Sequence, residues 1–218
     1  GVAIFTIIGC AVFAIGALGL FLVQDWPDLS GFRGTEGYWK TVFYSFRPSV
    51  FAEHKLLYAV IGAFALFNIS INIYMPYLIL YYEKGLGMEN YVVVMAPAIV
   101  LAAVITAFYG KLFDMLGFQS SLLPSVGMLM AGYVILYFGR ATAVVFLGSL
   151  LMMSGYLTGM AVFGAMIKNH IPEKKAGQFQ GIRIIGQVLV PGMIGPAIGA
   201  AVLHDADVVV NNDGTTSF

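Results

Sequence analysis

The strongest constraint on this chain is a series of uncharged apolar blocks, each about as long as a bilayer is thick. A helix crossing the hydrocarbon core needs roughly 20 consecutive apolar residues. Six blocks meet that need within the 218 residues: 1–23, 56–82, 91–109, 121–138, 143–167 and 184–203. No water is present at membrane depth to satisfy a bare backbone, so each block must close its own hydrogen bonds as a helix. The expectation is an all-α fold, a polytopic transmembrane bundle of six spans. Composition agrees: 60% of residues are hydrophobic and only 10% are charged, against roughly 25% charged in soluble domains. Block 1–23 lacks the basic start of a signal peptide and is too long for its apolar region, so it counts as a span. The chain begins inside this apolar run and ends in a polar stretch, which reads as a fragment.

The cations set an orientation. If residues 24–55, 110–120 and 168–183 face the cytoplasm, that side carries Arg33, Lys40, Arg47, Lys55, Lys111, Lys168, Lys174, Lys175 and Arg183. Only Lys84 and Arg140 then lie outside. The positive-inside rule counts Lys and Arg rather than net charge, so the nearly even division of acids does not weaken it. The location expected is an integral one, in a bacterial cytoplasmic (inner) membrane. Net charge is zero, which gives no basis for a nucleic-acid partner. Cys10 is the single cysteine, so neither a disulfide nor a CxxC metal site can form within the chain. His54, His170 and His204 show no ligand spacing, and no cofactor or metal is expected.

Between the third and fourth blocks runs Gly110-Lys111-Leu112-Phe113-Asp114-Met115-Leu116-Gly117. Glycines at both ends suit a tight reversal, and Asp114 suits a contact with the amide end of a neighbouring helix. Such a contact can hold two helices together in one state and release them in another. A second segment, Pro172 to Arg183, carries glycines at 177 and 181. These two patterns resemble the cytoplasmic loops of the major facilitator superfamily. The resemblance covers the chain as helices six to eleven, most of the C-terminal half of a twelve-helix carrier. It implies that residues 24–55 are the central cytoplasmic loop. It also implies that 56–203 form the C-terminal bundle, and that 204–218 lead outside toward a last helix.

Polar groups inside the spans point to a solute path, since each is costly in hydrocarbon and turns inward. Asn68 and Asn72 stand four apart on one face, followed by Tyr74, Tyr77, Tyr81 and Tyr82, with Pro76 bending the helix. Tyr156 and Thr158 in the fifth block and Gln187 in the sixth complete the candidate substrate-contacting set. Gly110, Asp114, Gly117, Pro191 and Pro196 form the candidate gating set. Gly155/Gly159 and Gly195/Gly199 are small-xxx-small pairs that allow close helix approach. No Asp, Glu, Lys or Arg falls deep in a block, so the residue for any coupling proton or sodium ion is expected in the preceding half.

The reading that follows is a secondary active transporter in a lipid bilayer, moving a small polar solute by alternating access. The amides and phenols lean toward a sugar or glycoside porter. A drug or metabolite exporter is the alternative. A non-transporting structural subunit would leave the two loop patterns unexplained, and an intramembrane enzyme would need convergent catalytic groups that the sequence lacks.

Overall fold

A computed structural model describes residues 6, 9–10, 12–18, 44–88, 90–172, 176–203, 209–210 and 216–217. The chain divides into two compact units, Gly1–Thr41 and Val42–Phe218. In the first unit every described residue is helical. The rest of the expected first span, and most of the connection after it, lie outside the described residues.

In the second unit a short helix α1 (Pro48–Glu53) starts with proline at its first position, where a missing N–H costs nothing. It leads into α2 (Lys55–Gly85). Pro76 deprives α2 of one ladder bond, and the helix tightens there into a 3₁₀ turn, Met75–Tyr77. It then widens into a π turn at Tyr81–Gly85.

Residues Tyr91–Phe138 follow as 48 helical residues. As one straight rod they would measure about 72 Å, more than twice the hydrocarbon thickness. They are two helices, α3 (91–116) and α4 (118–138), because Gly117 takes φ 78° and ψ −176°. The Tyr109 hydroxyl donates to the Ser121 carbonyl at 2.6 Å. Twelve residues along a straight helix would separate these groups by about 18 Å, so the chain doubles back at Gly117. Helix α5 (Thr142–His170) and helix α6 (Gly177–Leu203) complete the bundle. Beyond α6, β1 (Val209–Val210) and β2 (Thr216–Ser217) pair antiparallel. The Asn-Asn-Asp-Gly sequence between them, a turn-forming combination, lies outside the described residues.

Each helix is longer than its apolar block, and three expectations change. Residues 110–116 belong to α3 rather than to a loop, since nothing before Gly117 breaks the ladder. The stretch read as loop up to residue 55 ends in α1. The segment 177–183 is already α6, so Arg183 stands inside a helix and not in a connection.

The helices alternate in direction. Ring contacts from Phe64 and Phe67 of α2 to Phe163 of α5, and a hydrogen bond from Tyr82 to Ser149, run antiparallel. Helices α2 and α6 run parallel, with Ile61 beside Gly186, Asn72 beside Gly195 and Tyr77 beside Gly199. Two seams bring helices to backbone distance, α4 against α5 and α2 against α6. A Cβ on Gly155 would lie 2.7 Å from Leu129 Cα, and one on Gly199 would lie 2.6 Å from the Ile73 carbonyl oxygen. Only glycine permits either approach. The outward faces stay apolar, with Leu123 77% and Leu66 70% exposed, as a lipid-facing surface requires.

Candidate functional site

At the Gly85 end of the bundle, α2, α4 and α6 line an open cavity of about 480 Å³. Tyr74, Tyr77 and Tyr81 enter it from α2, and Tyr133 and Tyr137 from α4. Met152 of α5 and Gly199 with Val202 of α6 close it. The sequence places these phenols because α2 carries tyrosine at 74, 77 and 81, spacings of three and four that share a helix face. Their hydroxyls differ in state. Tyr81 donates to the Leu136 carbonyl at 2.5 Å and lies 3.4 Å from Arg140 Nη1. Tyr82, just behind the wall, shares a 2.5 Å hydrogen bond with Ser149. The Tyr74 and Tyr133 hydroxyls are buried beside each other as a loosely aligned pair with no other partner among the described residues, and their rings meet edge-on with centroids 4.9 Å apart.

Of the six expected substrate contacts, only Tyr74 lines this cavity. Asn68 is buried and its Nδ2 donates to the Phe64 carbonyl at 2.9 Å. Asn72 Nδ2 donates to the Asn68 carbonyl at 2.8 Å, and its Cβ faces Gly195. Both side-chain amides therefore bond back into α2 through their nitrogens, and among the described residues neither side-chain oxygen has a hydrogen bond. Thr158 is buried and donates to the Ser154 carbonyl at 2.6 Å. Tyr156 is half-buried on α5, and Gln187 is half-buried in the π turn Ile185–Leu189 of α6.

In the expected gating set, Gly117 alone makes the reversal. Gly110 is helical, exposed and has open space around it, so the symmetric reading of the two motif glycines is corrected. Asp114 is exposed and has no hydrogen bond or ion pair among the described residues. It borders a smaller cavity of about 290 Å³ with Gly110 and Phe113 of α3 and Ala161, Val162 and Ala165 of α5. Pro191 is buried two residues after the π turn, and Pro196 lies further along α6.

The sequence reading missed three residues. Tyr133 could have been flagged by the same cost argument that singled out Tyr74, since a mid-span phenol needs a partner. Phe179 is fully buried, against the rings of Tyr44, His54 and Tyr58 at 5.4–6.4 Å; a lone aromatic in a polar segment was the signal. Arg183 Nε is buried without a partner, and its Nη2 reaches toward Gly164 of α5. Among the described residues no group of three His, Cys, Asp or Glu could hold a metal ion.

Membrane-length helices and apolar outer faces define a polytopic α-helical integral membrane protein. The chain belongs to the Major Facilitator Superfamily, whose sequence profile matches residues 1–196. No individual curated protein and no solved structure matches it. Membership carries the general property of that family, transport of small molecules across a bilayer.

Proposed function

We propose that this chain forms part of a secondary active transporter that moves a small uncharged solute by alternating access. The observation that carries this reading is the phenol-lined cavity in a bundle of the transporter family. No Asp, Glu, Lys or Arg lines it, so the wall offers hydroxyl donors and ring faces rather than countercharges. Rings of this kind stack on the apolar faces of sugars and on aromatic groups alike. A sugar or glycoside is the favoured solute, with Asn68 and Asn72 offering amide oxygens on the α2 face next to the cavity.

The gating proposal is narrower than the motif suggested. Gly117 fixes the reversal between α3 and α4, and Asp114 beside it is free to meet a helix end in another state. Pro191 and Pro196 give α6 two points without a ladder bond, where it can bend. The charge pattern assigns the Gly117 end to the cytoplasm and the cavity end to the opposite side. Coupling to a proton or sodium ion would need a titratable or anionic group at depth, which an arginine such as Arg183 does not supply.

A second reading, export of a drug or apolar metabolite, is favoured by the largely aliphatic remainder of the cavity wall. The test is uptake of labelled sugars and aryl glycosides into vesicles holding the protein. Asn72→Ala should reduce uptake of the carried sugar severalfold. Unchanged uptake would remove Asn72 from the solute path, and saturable efflux of apolar cations with no sugar uptake would favour the exporter.

A further inference from the structure

We infer that the cleft between α5 and α6, at the end of the bundle opposite the cavity, holds the phosphate of an anionic lipid. Arg183 and Lys168 supply the charge that fixes it. The site is separate from the solute path proposed above and does not depend on it.

Among the described residues Arg183 is a cation without a counter-charge. It is half-buried on α6, and its Nε is buried with no hydrogen-bond partner. A guanidinium withdrawn from water is costly unless an anion meets it. The ion pair of the described residues joins His54 to Glu53 and leaves Arg183 out. Its Nη2 approaches Gly164 of α5. Lys168 stands four residues beyond Gly164 and is exposed, a spacing that puts both on one face of α5. Two cations therefore border one cleft. Asp114 meets α5 on the adjoining side, at Ala161 and Ala165, and pairs with neither cation.

The cleft has room. Elsewhere α5 is tightly packed, and a Cβ on Gly155 or Gly159 would come within 2.4 or 2.5 Å of a neighbour. On Gly164 the same Cβ would have Arg183 Nη2 alone within 4 Å, at 3.7 Å. Depth then selects the ligand. Helix α5 has 29 residues, about 43 Å of length, of which the hydrocarbon core takes about 30 Å. Gly164 lies about 9 Å before the His170 end, close to the hydrocarbon boundary. Lys168 lies about 6 Å further out, among headgroups. Arg183 leans toward the start of α6, as helical side chains do, and so toward the same layer. A phosphate there accepts paired hydrogen bonds from the guanidinium and meets the point charge of the lysine. Ile184 and Val188, 49% and 59% exposed on the adjoining side of α6, offer hydrocarbon to an acyl chain. The charge pattern assigns this end to the cytoplasm, where basic pockets between spanning helices hold anionic headgroups.

The test titrates detergent-purified protein with phosphatidylglycerol and with phosphatidylcholine, and counts bound lipid by native mass spectrometry. Phosphatidylglycerol should bind about tenfold more tightly. Arg183→Gln should weaken it about tenfold, and Lys168→Gln about fivefold. Arg183→Lys keeps the charge but not the fork, and should fall between the parent and Arg183→Gln. Gly164→Val narrows the cleft with both cations in place and should also weaken binding. Lys84→Gln, at the opposite end, should change nothing. Lys168 is exposed, so its variant tests the site even where Arg183→Gln destabilises the fold. Equal binding of the two lipids would overturn the inference. So would a phosphatidylglycerol preference indifferent to both Arg183→Gln and Lys168→Gln, which would leave Asp114 or water to meet Arg183. Inorganic phosphate that displaces the lipid at equal concentration would assign the cleft to a free anion and overturn the lipid.

Discussion

The two ends of the bundle use the same aromatic side chains to opposite effect. At the Phe179 end, rings fill space: Phe179 is fully buried among Tyr44, His54 and Tyr58, and the Tyr58 hydroxyl donates to the Ser45 carbonyl. At the Gly85 end, rings border space: Tyr74, Tyr77, Tyr81, Tyr133 and Tyr137 line an open cavity of about 480 Å³. Protein interiors are close-packed, and the Phe179 end follows that rule while the Gly85 end does not. The transport reading proposed above uses that difference, with one end open to an occupant and the other packed shut. A carrier that alternates access needs such an asymmetry in each of its states.

The comparison can be broken most forcefully at the closed end. Phe179→Ala should cost about 3–5 kcal/mol, read as a lower melting temperature in detergent; a loss under 1 kcal/mol would mean the cluster does not hold that end. At the Gly117 reversal the two motif glycines should separate. Gly117→Ala should destabilise by about 1–2 kcal/mol, because φ is positive there. Gly110→Ala should stabilise by about 0.5–1 kcal/mol, as expected inside a helix. Equal effects would restore the symmetric reading of the motif.

The smallest effects sharpen the contrast between well-paired and loosely paired phenols. Tyr82→Phe should lose about 1 kcal/mol, since it deletes a buried hydroxyl bonded to Ser149 Oγ, which itself donates to the Val145 carbonyl. Tyr133→Phe should cost less, because its hydroxyl has only the loosely aligned Tyr74 hydroxyl beside it. Equal losses in the two variants would show that the two phenols are equally well paired.

Much of this architecture was legible in the sequence because membrane physics is severe. Apolar length gave the helices, and glycine spacing gave the seams: Gly155 and Gly199 sit where backbones touch. Proline gave the 3₁₀ turn at Met75–Tyr77. Periodicity could place Asn68 and Asn72 on one face, but it could not say that both amides would bond into their own helix. It could group the tyrosines of α2 but not pair Tyr74 with Tyr133, fifty-nine residues away, since which helices meet is set by packing across the bundle. Helix ends were also hidden. Lys111, Asp114 and Arg183 look like loop residues by charge alone, yet nothing in their backbone stops a helix from running through them.

The central claim is that this protein carries an uncharged solute between two alternately open states, and solute counterflow tests it most directly. Vesicles containing the protein would be loaded with unlabelled 4-nitrophenyl β-glucoside and diluted into labelled glycoside without any ion gradient. The account predicts a transient accumulation of label above equilibrium, reduced severalfold by Tyr74→Phe. Label that enters no faster than into protein-free vesicles, or that never overshoots, would contradict it.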